Sequence, residues 1–225
     1  MAGFGNLAIC ERVLPNPPRW PRPPGFLINE VRMKRVLVIV DGLNLMHALA
    51  QQNSNHEYIN LVGLVARLTN LKSERVVGFQ YFTAIASHVS DFGKLKQKRF
   101  LEFLRSSGVT VTLGVFHEVR EICANCKHRS KRHIEKQTDV GVAATLIAGA
   151  YEDTFDKVLL FSADSDLLPA IRLVKAKYPG KEIKLVSTVA YLRSVHATMG
   201  RFCDGQIRLT PELLKEHAIE LVGDA

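Results

Sequence analysis

Nothing in this chain is long and apolar enough to cross a bilayer: its hydrophobic runs stop far short of the ~20 residues that a span requires. Its first residues hold charges and prolines where a secretory signal needs an apolar stretch, so no membrane partner is expected. Cysteine is scarce, at 4 of 225 residues, which does not suit the disulfide framework of a small secreted domain. A reducing, cytoplasmic setting is the expectation. Also missing are a glycine-rich phosphate loop, a dinucleotide fingerprint and a nucleophile elbow, which leaves no sequence support for a nucleotide cofactor or for serine hydrolase chemistry.

Proline is rare after residue 29, because six of the 9 crowd into Pro15 to Pro24. That stretch, PNPPRWPRPPG, cannot form helix or central strand and reads as an extended, disordered arm. Met33 stands directly before the first clear strand, so the fold and the activity are expected to survive loss of what precedes it. The expected organisation is an arm over 1–33, one α/β domain over 34–210, and a short helix with a tail over 211–225.

What is present suits a globular domain with a polyanionic partner. Hydrophobic residues make up 47% of the chain, enough for a sizeable core, and the net charge is +8 with a pI near 9.4. Val36 to Val40 and Val158 to Phe161 are continuous apolar runs, as expected of strands buried on both faces of a parallel sheet. Further strands are expected over Arg75 to Ala84, Val109 to Phe116, Ile183 to Ser187 and Gln206 to Leu209, with helices between them. Asn60 caps one of these helices and Ser90 or Asp91 another, and a third runs from Tyr191 to Met199. Strand, helix, strand in alternation predicts a mainly parallel sheet.

Carboxylates gather where ligands of such sheets sit, outside the carboxyl ends of the strands. Asp41 follows the first run within Asp41-Gly42-Leu43-Asn44, and Asp164 and Asp166 lie in the turn Ser162 to Asp166. Asn44 either contacts a ligand or caps the next helix; an Asp in the second turn could equally cap. Thr138 is expected to cap a helix on which Asp139 heads an apolar stripe through Val142, Ala143, Leu146, Ile147 and Ala150. A carboxylate at such a position is costly unless paired or metal-bound. Asp41, Asp139, Asp164 and Asp166 on one rim would repel unless divalent cations neutralise them, and hard oxygen donors select Mg²⁺ or Mn²⁺. Such ions activate water for in-line attack on a phosphodiester.

Two basic elements flank this set. The helix from Asp91 carries Lys94, Lys96, Lys98 and Arg99; the polar loop over about 117–137 carries Lys127, Arg129, Lys131, Arg132 and Lys136. The loop has no Trp, Tyr or Phe, so it offers phosphate contact without base stacking. It also holds His117, Cys123, Cys126, His128 and His133. Cys123, Cys126 and two histidines such as His128 and His133 can form a tetrahedral zinc site; the alternative is a free thiol pair.

Three motifs, VLVIVDGLNLMH (Val36 to His47), KQTDVGVAATLI (Lys136 to Ile147) and LLFSADSDLLPAI (Leu159 to Ile171), resemble the NYN domain of the PIN-like nuclease superfamily. The likeness is greatest to its LabA-like (DUF88) branch and runs from about Val36 to Leu209. It implies a three-layer α/β/α sandwich and an Mg²⁺- or Mn²⁺-dependent endoribonuclease, the alternative being a non-catalytic RNA-binding module. By motif position the family's acids fall on Asp41, Asp139, Asp164 and Asp166, with Asn44 and Ser162 as polar neighbours. Where the family's turn has glycine, this chain has Ala163. RNA is the implied partner, and homo-oligomers remain open.

Overall fold

The structure, a computed structural model, describes residues 32–51, 58–85, 90–122, 125–188 and 199–221. The expected arm up to residue 31, Cys123, and all but the last residue of the helix expected over Tyr191 to Met199 lie outside them.

The two apolar runs form the centre of the sheet. Strand β1 (Lys34–Asp41) pairs in parallel with β2 (Glu74–Thr83) on one side and with β6 (Lys157–Phe161) on the other. Beyond them lie β3 (Thr110–Leu113) at one edge and β7 (Glu182–Thr188) then β8 (Gly205–Leu209) at the other. The order is β3-β2-β1-β6-β7-β8, with every neighbouring pair parallel.

Side chains alternate across the pleat and so feed two cores. Val36, Val38 and Val40 of β1, with Leu159 and Phe161 of β6, pack against α1 (Gly42–Ala50), α2 (Leu61–Leu68) and α3 (Asp91–Ser106). Leu37 and Ile39, with Val158 and Leu160, pack against α4 (Thr138–Tyr151) and α5 (Leu168–Lys177). The result is the expected α/β/α sandwich. A short helix, α6 (Pro211–Glu216), closes the first core through Leu214.

Because the sheet grows outward from β1 in one direction and from β6 in the other, the helix that follows β1 (α1) and the helix that follows β6 (α5) pack on opposite faces. Their connections part at the β1–β6 seam and leave a crevice at the strands' carboxyl ends, where ligands of doubly wound sheets bind.

Two local expectations are corrected. The segment from Val109 to Phe116 is not one strand: β3 ends at Leu113, and after Gly114 the chain enters a separate two-stranded ribbon. The expected polar loop is that ribbon, β4 (Val115–Ile122) antiparallel to β5 (Arg129–Lys136), and most of its residues are exposed. Exposure of both faces explains why no apolar alternation marks it.

At the opposite end of the sheet, Arg35 clamps Asp156. Its backbone N–H donates to Oδ2 at 2.8 Å, and its guanidinium donates to Oδ2 at 3.1 Å and to Oδ1 at 2.8 Å. The guanidinium, chiefly, holds the Asp156 carboxyl well below the usual carboxylate range. A depressed folded-state pKa adds stability above the ordinary value of about 3.9, and that stability is lost as pH falls through the folded-state value. Asp156→Asn should therefore lower the urea midpoint at pH 7, and the gap to wild type should shrink below about pH 4.

Candidate metal centre

Asp41 is where β1 stops being a strand. Its backbone stays extended, and its Oδ1 accepts from the Asn44 backbone N–H at 3.0 Å, which caps α1. Asp41, not Asn44, is thus the cap. Asn44 instead spans the crevice, its Oδ1 accepting from the Ala163 N–H at 3.0 Å. A second strut runs the other way: Ser162 Oγ donates to Asp41 Oδ2 at 3.0 Å and accepts from the Asp164 N–H at 3.1 Å. Two polar side chains thereby stitch the turn after β1 to the turn after β6.

Asp164 Oδ1 accepts from the Asp166 N–H at 2.9 Å and caps a one-turn 3₁₀ helix, Ser165–Leu167. Both readings of Asp164, cap and crevice acid, hold together, because one carboxylate oxygen serves the cap. Ala163 in place of glycine brings no strain, since it is not among the positive-φ residues.

Asp139 arrives from the other side, on the first turn of α4. Thr138 does not cap that helix; it is its first residue, buried, and Gln137 precedes it with φ 86° and no side-chain cap bond. The Thr138 N–H is satisfied by Glu135 Oε1 at 3.0 Å. The cap is therefore supplied from the end of β5.

These elements bring one ligand oxygen each from Asp41, Asp139 and Asp164 within 4.8 Å of one another, a group of a kind that could hold a metal ion. Asp166 is exposed and stands outside this trio. Burial, then the charges of Asp139 and Asp164, push the Asp41 carboxyl up to about 6, against the Asn44 and Ser162 hydrogen bonds that favour its anion. Asp139 is also raised, by burial and then by Asp164, Glu135 and Asp166, while Lys136 opposes. Three crowded acids, none held by a lysine or arginine in an ion pair among the described residues, are a poor arrangement without a cation. Their all-oxygen donor set fits a hard divalent ion.

Tyr81 and Glu135 belong to this region and carry no motif. Tyr81 is buried under the Asp41 turn: a Cβ on Gly42 would lie 2.5 Å from its hydroxyl oxygen, so position 42 must be glycine. Burial, and secondarily the Asp41 charge, raises the phenol's pKa. The only sequence signal is a tyrosine near the carboxyl end of a strand.

Of the other expected residues, Lys98, Lys127, Arg129 and Lys136 are exposed. Lys94 pairs with Asp91, Lys131 with Glu118 and Arg132 with Glu121. Cys126 and His128 are exposed near the ribbon tip. His133 lies five residues along from His128, about 16 Å of extended chain, and the structure does not bring the three together. Asp204 accepts from Lys175 Nζ and from the Ile183 N–H, each at 2.8 Å, and so ties the start of β7 to α5.

The sequence matches the NYN domain over residues 35–209. No curated protein matches. Among solved structures, the chain is similar to a protein of unknown function from Vibrio parahaemolyticus, with a TM-score of 0.58 and 18% identity, over 80% of this chain and 96% of that one. That likeness is one of fold.

The raised Asp41 value gives a stability test. An acid whose folded-state pKa is raised stabilises while protonated, and that contribution is lost as pH rises from about 3.9 through about 6. In metal-free buffer Asp41→Asn, which keeps a cap acceptor, should raise the urea midpoint at pH 8 and lose that advantage towards pH 4.

Proposed function

Because the chain belongs to the NYN domain family, we propose that it is a divalent-metal-dependent endoribonuclease whose centre is Asp41, Asp139 and Asp164. The observation that carries this reading is the convergence of those three carboxylates at the β1–β6 seam, with no cationic side chain among the described residues bonded to them. A protein that only bound RNA would gain nothing from crowding negative charge where a polyanion must approach.

The three aspartates would hold Mg²⁺ or Mn²⁺. When bound, such an ion supplies Lewis-acid polarisation of the phosphodiester and a water of lowered pKa. The protein's own residues do the rest. Ser162 and the Asn44 N–H fix both oxygens of Asp41, so its orientation does not depend on the ligand. Asn44, through Ala163, keeps the Asp164 turn in register with β1. Asp166, exposed beside the trio, takes a part in ordering water or a second ion. Lys98, Lys127, Arg129, Lys131, Arg132 and Lys136 would hold phosphates along the bound strand, with Lys94, Lys131 and Arg132 partly occupied by Asp91, Glu118 and Glu121. The three motifs favour the LabA-like branch of the family, and the basic surface favours RNA over a small phosphoester.

Asp164→Asn should abolish Mn²⁺-dependent cleavage of RNA while leaving the urea midpoint and RNA affinity near wild type. Ser162→Ala should cut the rate by roughly 10- to 100-fold, the usual cost of freeing a ligand from its hydrogen-bond partner. Undiminished cleavage by Asp164→Asn would refute the assignment; RNA binding without cleavage by wild type would favour the binding module.

A further inference from the structure

At the foot of the ribbon, where β3 ends, a cavity of about 310 Å³ is lined by Ile85, Leu113, Gly114, Val115 and Phe116. Every described lining residue is apolar, and Leu113 and Val115 remain 41% and 40% exposed. Apolar side chains kept in water beside a polar site mark a place where something docks.

Its position says what. The cavity opens at the carboxyl edge of the sheet, and β3 is separated from β1 only by β2, so two strand spacings, about 10 Å, lie between it and Asp41. Gly114 joins it to the acidic centre: its N–H donates to Thr83 O at 2.8 Å. A Cβ there would stand 2.5 Å from Lys136 O and 2.8 Å from Glu135 Oε1, the oxygen that caps the helix bearing Asp139. The cations lie alongside, because Val115 pairs with Lys136 in the ribbon register and Arg120, Arg129 and Lys131 follow towards the tip. An apolar peptide segment would fill the cavity but bring no negative charge to the basic side, where Lys136 is exposed and Arg120 and Lys131 share the single carboxylate of Glu118. A nucleic acid strand matches both, with phosphates for the cations and a flat apolar ring for the cavity. As the edge strand among the described residues, β3 has outward backbone groups that no other described strand takes, and these can meet the polar rim of a base.

We infer that this cavity holds one unstacked base of a single-stranded RNA, next to the nucleotide whose phosphate lies at Asp41, Asp139 and Asp164. The inference rests on the nuclease reading for the place of the phosphate. It supplies what the rest of the ribbon lacks, a surface for a base, and it makes unpaired RNA the substrate class, since a base within a duplex cannot enter.

The test is a thermodynamic cycle in EDTA with the full chain. Wild type and the double variant Leu113→Asn, Val115→Asn, which keeps the net charge, are titrated with a seven-nucleotide single-stranded RNA. The same RNA follows, with one abasic residue placed at each position in turn. The variant should bind the intact RNA roughly tenfold more weakly, about the loss of one base contact. The most damaging abasic position should cost the wild type a similar factor and the variant almost nothing. Unchanged affinity of the variant, losses that simply multiply, or no RNA binding at all would overturn the inference. If the double variant does not reach the wild-type urea midpoint, Val115→Asn alone takes its place in the cycle. Mn²⁺-dependent cleavage by wild type with no coupling in the cycle would remove the base site and leave the nuclease. Coupling without cleavage would do the reverse.

Discussion

Three carboxylate oxygens held within 4.8 Å repel one another, and something must hold them there. The fold does so by giving each acid to a different rigid element. Asp41 ends a strand whose preceding residues Val36, Val38, Ile39 and Val40 are each 0% exposed, Asp164 follows a strand equally buried, and Asp139 opens a helix sealed through Val142 and Leu146. Moving any one of them away from its neighbours would pull apolar side chains out of a core. Packing therefore opposes electrostatic repulsion; burial first, and the neighbouring carboxylates second, push the Asp41 and Asp139 carboxyls up. A divalent cation would relieve both.

The polar struts matter because packing alone sets strand positions to about a side chain's width, while metal ligation requires finer placement. Ser162 and Asn44 tie the two turns together across the seam at 3.0 Å each. Glu135 does the same for the third element, linking the end of the ribbon to the first turn of α4. The ribbon is thus fastened at its root to the helix that carries Asp139, and Lys136 at that root stands near Asp139.

Much of this is legible in the sequence, and the parts that are not have physical causes. Val36 to Val40 and Val158 to Phe161 reveal the sheet because strands buried on both faces need unbroken apolar runs. The acids just after them follow from the rule that ligands meet parallel sheets at strand ends. The ribbon escapes, because strands exposed on both faces carry no periodic signal. The exchange of roles between Asp41 and Asn44 escapes too: either residue type caps a helix, and only the position of Ala163 across the seam decides. Thr138 has the chemistry of a cap, yet an acceptor from β5 takes that place and leaves it buried in the helix. Glu135 and Tyr81 act through tertiary neighbours, which no local pattern records.

The measurement that bears most directly on the central claim is a crystal structure of the protein grown with Mn²⁺, with anomalous scattering used to find the ion. The account requires an anomalous peak bonded to carboxylate oxygens of Asp41, Asp139 and Asp164, and its loss in crystals of Asp164→Asn. A well-ordered crevice with no peak between those three residues, or Mn²⁺ bound only elsewhere, would contradict it.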